Sequence, residues 1–462
     1  MFHSNKEQTM TKLIYTAIAC SLILGASSCR KYVEVDQPGQ RELKFTSDYQ
    51  GILDNRFDIN TSYILPVIMN DDLEVTDPTL ENRITGYIRN AWTWSADLFG
   101  DTEDLEWQRM YKQINRFNTI TYYIGESQGG SEADKAHIKA QAQMHRAYTY
   151  FDLVNMYAKQ YDAATASTDP GVPVLLSPSL EQSLKRASVK AVYEQIIKDL
   201  NEAIPNLPEQ GEFVSRASKV AAFAVLARAS LQMGNYSDAL RFADSALKRK
   251  SSLLNMNNYL STPLPTFLQH PEYIFMKAQA SSSFVFYPLS QELQQIFDTK
   301  DLRWEMNTRD GATSPFPPVF NGRAYVRHRL TVDGNLVGPD VPEMMLIKAE
   351  CLARTGKPGE AMDVINTLRQ SRFRPADYVA FTATDANDAL VKVLQERRRE
   401  LMVRGLRWFD LKRLNKEPQF AKTLSKTFLG ETYTLAPNSN RYVLPIASKY
   451  TSMNPELEPN PR

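Results

Sequence analysis

The sequence predicts a mainly α fold: a scaffold of antiparallel helix pairs bearing a loop-rich, partly β region that faces ligand. Three observations carry this. Helical apolar spacing dominates the chain. Two segments, 218–248 and 341–372, repeat one pattern of small residues around a glycine turn. Between them lies a stretch, 255–342, broken by proline and glycine.

The chain opens with a segment that is not part of the fold. Residues 10–29 read MTKLIYTAIACSLILGASSC. Lys12 gives a positive start, 13–24 is apolar over the length of a signal core, and small residues lead to Cys29. The run falls short of the ~20 apolar residues of a spanning helix. It resembles a bacterial lipoprotein signal, with Ala26 where such boxes usually carry Leu. Cleavage would leave Cys29 as the lipidated N-terminus; the alternative is an ordinary secretory signal with an incidental cysteine. Cys20 would leave with the signal, so Cys351 would remain alone, with no partner for a disulfide. Its helical setting, LIKAECLARTG, favours a buried thiol. The expected divisions are a signal peptide (1–28), a lipid-anchored leader (29–46), an N-terminal region with repeats (47–254) and a C-terminal region with the inserted module and further repeat helices (255–462).

In 218–248, Leu226-Ala227, Gly234, Tyr236, Ala239 and Ala246 sit at the offsets of a tetratricopeptide repeat. Small residues at 227, 239 and 246 let two helices approach closely, and Gly234-Asn235 makes the turn. In 341–372, Ala349, Gly356 and Ala361 take the places of Ala227, Gly234 and Ala239. Weaker helix pairs are expected from 139–158 with 189–207, and a helix over 388–404 completes the last repeat. The module at 255–342 holds seven prolines from Pro263 to Pro318, then Pro339 and Pro342. Its β-like runs, EYIFMKA and RAYVRHRLTV, are expected to be joined by Asp-Gly turns at 310–311 and 333–334. The 47–106 segment is similarly irregular, and long ordered loops tend to carry function.

Taken together, these motifs resemble the SusD/RagB family of Bacteroidetes surface lipoproteins. The resemblance rests on the lipidated start, Trp107, Tyr111, Ile114 and Asn118 at fixed spacing, and HRAYTYFDLVNMYA followed by GVPV. It rests equally on VPEMMLIKAECLARTG, ERRRELMVRGLRWFDLKR at 396–413, and the C-terminal YVLPIASKYTSMNPELEPNP. It implies a tetratricopeptide scaffold, a loop-rich ligand face, an outer-membrane location and a SusC-like TonB-dependent transporter as partner.

Charge and motif content narrow the chemistry. A formal net charge of +1 gives no electrostatic reason to expect nucleic acid or an anionic membrane surface. The five histidines have no metal-ligand spacing, and no HExxH, GxSxG, P-loop or GxGxxG occurs, so no metal, cofactor or catalytic residue is expected. Glu396, Arg397, Glu400, Arg404, Arg407 and Asp410 recur at helix-neighbour spacing and are expected to form a structural ion-pair lattice over Trp408 and Phe409. The acidic loop Asp71, Asp72, Glu74, Asp77 could offer oxygen ligands to calcium; a solvated loop is the simpler expectation.

Aromatics, at 10% of the chain, supply the ligand candidates. Trp92 and Trp94 flank Thr93; in an extended segment both rings would face one way and form a stacking platform for a sugar. The alternative is burial of both beneath the repeats. Trp304, Phe284, Tyr287, Phe316, Phe320 and Tyr325 lie in the inserted module and complete the set; Trp107 and Trp408 are assigned to the core. Three function classes follow. They are a receptor that captures a glycan or oligopeptide and passes it to a transporter, a surface glycan hydrolase with unrecognised carboxylates, and a purely structural repeat scaffold. The missing catalytic motifs, the anchor and the resemblance favour the receptor, tethered by lipid and not embedded.

Overall fold

The computed structural model describes residues 43–280, 288–313, 319–327 and 335–462. Cys29 and the leader therefore lie outside the described residues. After α1 (Thr46–Asp54), α2 (Leu65–Met69) and α3 (Gly86–Trp92), the long helices begin. α4 (Leu105–Tyr123) starts where Asp104 accepts the amides of Glu106 and Trp107. α5 (Glu132–Tyr157) starts on a reciprocal cap between Ser131 and Asp134. From residue 140 to 158 every position is buried, because other segments cover the helix on all sides. α4 and α6 (Val189–Ala203) both pack on it. The GVPV segment is held from below: the Tyr111 hydroxyl donates to the Pro173 carbonyl at 2.8 Å, and Asn118 Nδ2 to the Leu175 carbonyl at 2.9 Å.

The two repeat copies form as expected. α7 (Lys219–Gln232) turns into α8 (Tyr236–Leu247) at Gly234, whose φ is +72°. Further along, Val341–Arg354 turns into Pro358–Gln370 at Gly356, φ +78°. Both turns use backbone conformations that a Cβ disfavours. Ala227, Ala239, Ala246, Ala349 and Ala361 are fully buried, so the helices meet where side chains are smallest.

The inserted module follows α8 and contributes α9 (Leu302–Asn307), then a short antiparallel pair, β1 (Thr308–Asp310) with β2 (Arg323–Tyr325). The second repeat then supplies α10 (Val341–Arg354) and α11 (Pro358–Gln370). α8 packs directly against α10, so the module leaves the helical stack and the stack resumes. α12 (Ala386–Glu400) packs on both α10 and α11, close to the helix expected over 388–404.

Among its described residues, the module is less β-like than its sequence predicts. EYIFMKA makes only isolated bridges, Tyr273 to Asp340 and Ala278 to both Thr61 and Leu336. Asp310 pairs with Arg323 across β1 and β2, so Asp310-Gly311 is not by itself the turn that joins the two strands, and the second Asp-Gly pair lies outside the described residues. The run beginning at Arg323 keeps strand geometry for three residues.

Beyond α13 (Leu406–Leu414) comes a hairpin that periodicity did not anticipate, β3 (Leu424–Phe428) with β4 (Glu431–Leu435). Leu429 and Gly430, φ +51° and +80°, form its two-residue turn, the arrangement that matches strand twist. β3 alternates strictly between buried and exposed, which turns Leu424, Lys426 and Phe428 inward. Among the described residues, no helix is long and apolar enough to cross a membrane.

Candidate functional site

The two irregular segments, 47–106 and 255–342, are knit into one surface. Leu73 bridges Leu289, and the Ser290 amide donates to the Asp72 carbonyl at 2.8 Å. Glu74 accepts the Gln291 amide and Asp77 the Asn321 amide, each at 3.0 Å. Ser62 N donates to the Ala278 carbonyl at 2.8 Å. A groove of about 310 Å³ runs where these segments meet the start of the hairpin. Glu74, Gln291, Glu292, Lys422 and Ser425 line it, with Trp94 beneath.

Trp92 and Trp94 do not form the exposed platform expected of them. Trp92 ends α3, so the segment is a helix terminus and not a strand, and Trp94 takes a positive φ of 52°. Both indoles are fully buried, and Trp94 Nε1 donates to the Met69 carbonyl at 2.8 Å. The group over the two rings is the chain's own ammonium. Lys426 Nζ stands 4.1 Å from the Trp92 ring centre and 5.1 Å from that of Trp94, and donates to the Ile68 carbonyl. Burial pushes the Lys426 amine down to about 7, against the pull of Asp71, Glu74 and Asp72.

Trp304 sits differently. Asp301 starts α9 by accepting the Arg303 amide, and Trp304 is half-buried on that helix. The Arg323 guanidinium lies 4.2 Å from the Trp304 ring centre, fixed by the Thr308 hydroxyl and the Trp304 carbonyl. Phe297 packs at 5.6 Å on the same indole. Phe320 and Tyr325 are buried, a correction to their reading as surface rings: Phe320 folds over Gly311, and Tyr325 borders an enclosed space of about 40 Å³ among charged side chains. Phe284, Tyr287 and Phe316 lie outside the described residues.

The charged run at 396–413 is a lattice, but its partners are mostly distant in sequence. Arg303 reaches Asp301, Glu396 and Glu400 at 2.6–2.8 Å. Arg372 joins Glu400 to Glu272, Arg397 holds Asp410, and Arg404 holds Asp340. Helix-neighbour pairing survives in Arg399 with Glu396 and Arg413 with Asp410. Burial alone would raise the Glu396 carboxyl; Arg303, Arg399 and Arg369 outweigh it and hold it at about 2. Trp107 and Trp408 are core residues as assigned, and burial pushes the Cys351 thiol up to about 12.

Asp71 and Asp72 of the acidic loop are bonded within the protein, while Glu74 and Asp77 stay partly exposed. Asp71 receives Arg407 at 2.7 Å and Lys422 at 2.8 Å, Asp72 receives Arg398 at 2.8 Å, and Asp77 caps the helical turn that follows it. Sequence reasoning missed these partners because they lie more than 300 residues away. Among the described residues, no cluster of His, Cys, Asp or Glu is placed to hold a metal ion. His145 packs between Phe117 and Phe275, and His270 stacks on Tyr273 at 4.1 Å.

Stacked antiparallel helix pairs that carry a knitted loop surface define a helical-repeat scaffold protein. Residues 65–231 match a family described as starch-binding and associating with the outer membrane, and residues 342–462 match the SusD family. The chain belongs to the SusD/RagB family. It is similar to SusD-like protein P38 of Formosa agariphila, 23% identical over 78% of this chain and 80% of that one. Its fold matches a SusD superfamily protein of Bacteroides thetaiotaomicron with a TM-score of 0.75 at 19% identity, over 90% of this chain and 100% of the other. It also matches a SusD-like carbohydrate binding protein of Bacteroides vulgatus with a TM-score of 0.70 at 20% identity, over 90% and 97%.

Proposed function

We propose that this protein is a non-catalytic outer-membrane lipoprotein that captures a glycan and delivers it to a SusC-like TonB-dependent transporter. Cleavage before Cys29 and lipidation of its sulfur tether the chain, and residues 29–46 act as the leader. The observation that carries ligand capture is the Trp304–Arg323 stack. A half-exposed indole, held on a capped helix by a guanidinium and set in a polar loop surface, suits the apolar face of a sugar ring. The family's descriptions and the carbohydrate-binding relative support a glycan over an oligopeptide.

The enzyme reading has less to stand on. A glycosidase needs two accessible carboxyls flanking the scissile bond, one of them raised. The carboxyls that burial raises, Asp72, Asp104, Glu106, Asp152, Asp199, Glu272 and Asp340, are all enclosed in the protein and not accessible at its surface. Calorimetry with a panel of oligosaccharides and peptides, followed by product analysis, tests the proposal. Glycan binding without turnover is the expected result; turnover would support the hydrolase, and no binding at all the scaffold. Cys29→Ala is expected to move the protein from the membrane to the soluble fraction, because the acyl chains supply its membrane affinity.

A further inference from the structure

Two neighbouring arginines on the loop surface bond only to neutral oxygens among the described residues. Arg323 of β2 donates through Nε to the Thr308 hydroxyl at 2.6 Å and through Nη2 to the Trp304 carbonyl at 3.1 Å. Arg309 of β1 donates through Nη1 to the carbonyls of Glu305 and Thr308, at 2.5 and 2.8 Å. Both guanidiniums thus close the C-terminal end of α9, where helical carbonyls are left over. They also stand close together: Arg309 Nη1 lies 2.8 Å and Arg323 Nη2 3.5 Å from one oxygen, that of Thr308.

The nearby carboxylates are used elsewhere. Glu305 is held by Arg374 at 2.8 Å. Asp310, opposite Arg323 across the strand pair, accepts the Ala312 amide at 2.9 Å. Asp377 faces Lys300, just before α9. Burial holds the Arg323 guanidinium below its ordinary range; the like charge of Arg309 adds to this, and Asp310 opposes it. By contrast, Arg303, Arg372 and Arg404 of the charged lattice each meet a carboxylate directly.

Donors remain for a ligand, because a guanidinium carries more N–H groups than these bonds use. Nε and Nη2 of Arg309 and Nη1 of Arg323 make no bond among the described residues. Both side chains are half-buried, and none of these nitrogens is among the enclosed unpartnered atoms of the protein, so solvent reaches them. They stand beside the half-exposed indole of Trp304, from whose ring centre the Arg323 guanidinium lies 4.2 Å. Like charges side by side favour a negative group that accepts from both. The oxygens of a carboxylate or sulfate match the guanidinium fork, whereas a neutral hydroxyl leaves the repulsion between the arginines unrelieved.

We propose that the loop surface takes an acidic glycan, with a carboxylate or sulfate group of one sugar held between Arg309 and Arg323 and its ring beside Trp304. This rests on the capture reading and narrows it. The test is calorimetry of the full chain in detergent with matched oligosaccharides: oligogalacturonate against its carboxyl-reduced form, and a sulfated galactan oligosaccharide against its desulfated form. At least one acidic member is expected to bind at least fivefold tighter than its neutral counterpart, and the pair that shows this tells carboxylate from sulfate. Raising sodium chloride from about 20 to about 300 mM should shrink the preference, because ion pairing at an open site is screened. Arg309→Gln and Arg323→Gln should each remove most of it. The ratio of acidic to neutral affinity is the readout, since a general loss of folded protein does not change it. The inference is overturned if the neutral members bind as tightly as the acidic ones, or if the preference survives both glutamine variants. Binding of neutral glycans alone, weakened in Trp304→Ala, also overturns it and leaves glycan capture standing; no glycan binding at all removes the capture reading together with it.

Discussion

Lys426 Nζ stands 4.1 Å from the centre of the Trp92 ring, the central inward residue of β3 closing over the end of α3. The stem fills space beneath two buried indoles, and the ammonium satisfies the Ile68 carbonyl. Lys426→Ala is expected to cost about 2–4 kcal/mol, as other large-to-small changes in cores do. Lys426→Met keeps most of the volume and should cost clearly less. Urea unfolding of the two variants checks this order; an Ala variant as stable as the wild type would remove the packing role.

Glu106 gives a pH signature. Its Oε1 accepts the amides of Ile64 and Leu65, burial raises the carboxyl to about 8, and Arg109 only partly opposes that. Between its ordinary 4.5 and about 8, the unfolded chain is ionised here while the folded chain keeps the proton. Stability therefore falls as pH rises through this window, by at most about 1.4 kcal/mol for each pH unit crossed. Glu106→Gln retains the acceptor and removes the titration. Denaturation midpoints measured from pH 4.5 to 8 should fall less steeply in the variant, and identical slopes would refute the assignment.

Arg303 is the centre of the charged lattice, fully enclosed among Asp301, Glu396 and Glu400. Removing it strands the buried Asp301 and takes one of the arginine partners from Glu396 and Glu400. Arg303→Met should cost about 3–5 kcal/mol, the usual penalty for breaking a buried ion pair from one side. A loss below about 1 kcal/mol by chemical denaturation would mean that water reaches the cluster and screens it.

Close helix contacts in the repeats are tested from the opposite direction. Ala239, after the turn of the first copy, and Ala349, before the turn of the second, are both fully buried. Replacing either with Leu adds volume with nowhere to go and should destabilise the fold by about 1–3 kcal/mol. Unchanged melting in both variants would place the contacts elsewhere.

What the sequence revealed follows the range of its interactions. The helix pairs were legible because Ala and Gly recur at local spacings, and Gly234 and Gly356 do turn the chain as expected. The lattice was legible as charge, but its pairing was not: Asp71 finds Arg407 and Lys422 only through the fold. The Trp92–Trp94 spacing suggested a strand, and the helix end that replaced it turned both rings inward. Lys426 carried a signal that could have been used, since TLSKTF alternates and places a lysine on the same face as Leu424 and Phe428. A lysine on an apolar face predicts a buried partner, and the partner is the indole pair.

With Trp92 and Trp94 enclosed, Trp304 is the ring to test for ligand capture. It is half-buried, its guanidinium neighbour is anchored by two hydrogen bonds, and α9 beneath it is capped by Asp301. Removing the indole should weaken glycan binding about fivefold or more, the equivalent of about 1 kcal/mol of stacking. It should change stability little, because the ring is not enclosed. Trp92→Ala and Trp94→Ala should do the reverse, losing about 3–5 kcal/mol of stability as buried aromatics do. Calorimetry against the best oligosaccharide of the panel, with a melting curve for each variant, separates the two roles. Full affinity in Trp304→Ala would remove this residue from the binding surface. A native melting curve in Trp92→Ala would show that its ring is dispensable to the core and return it to the ligand candidates.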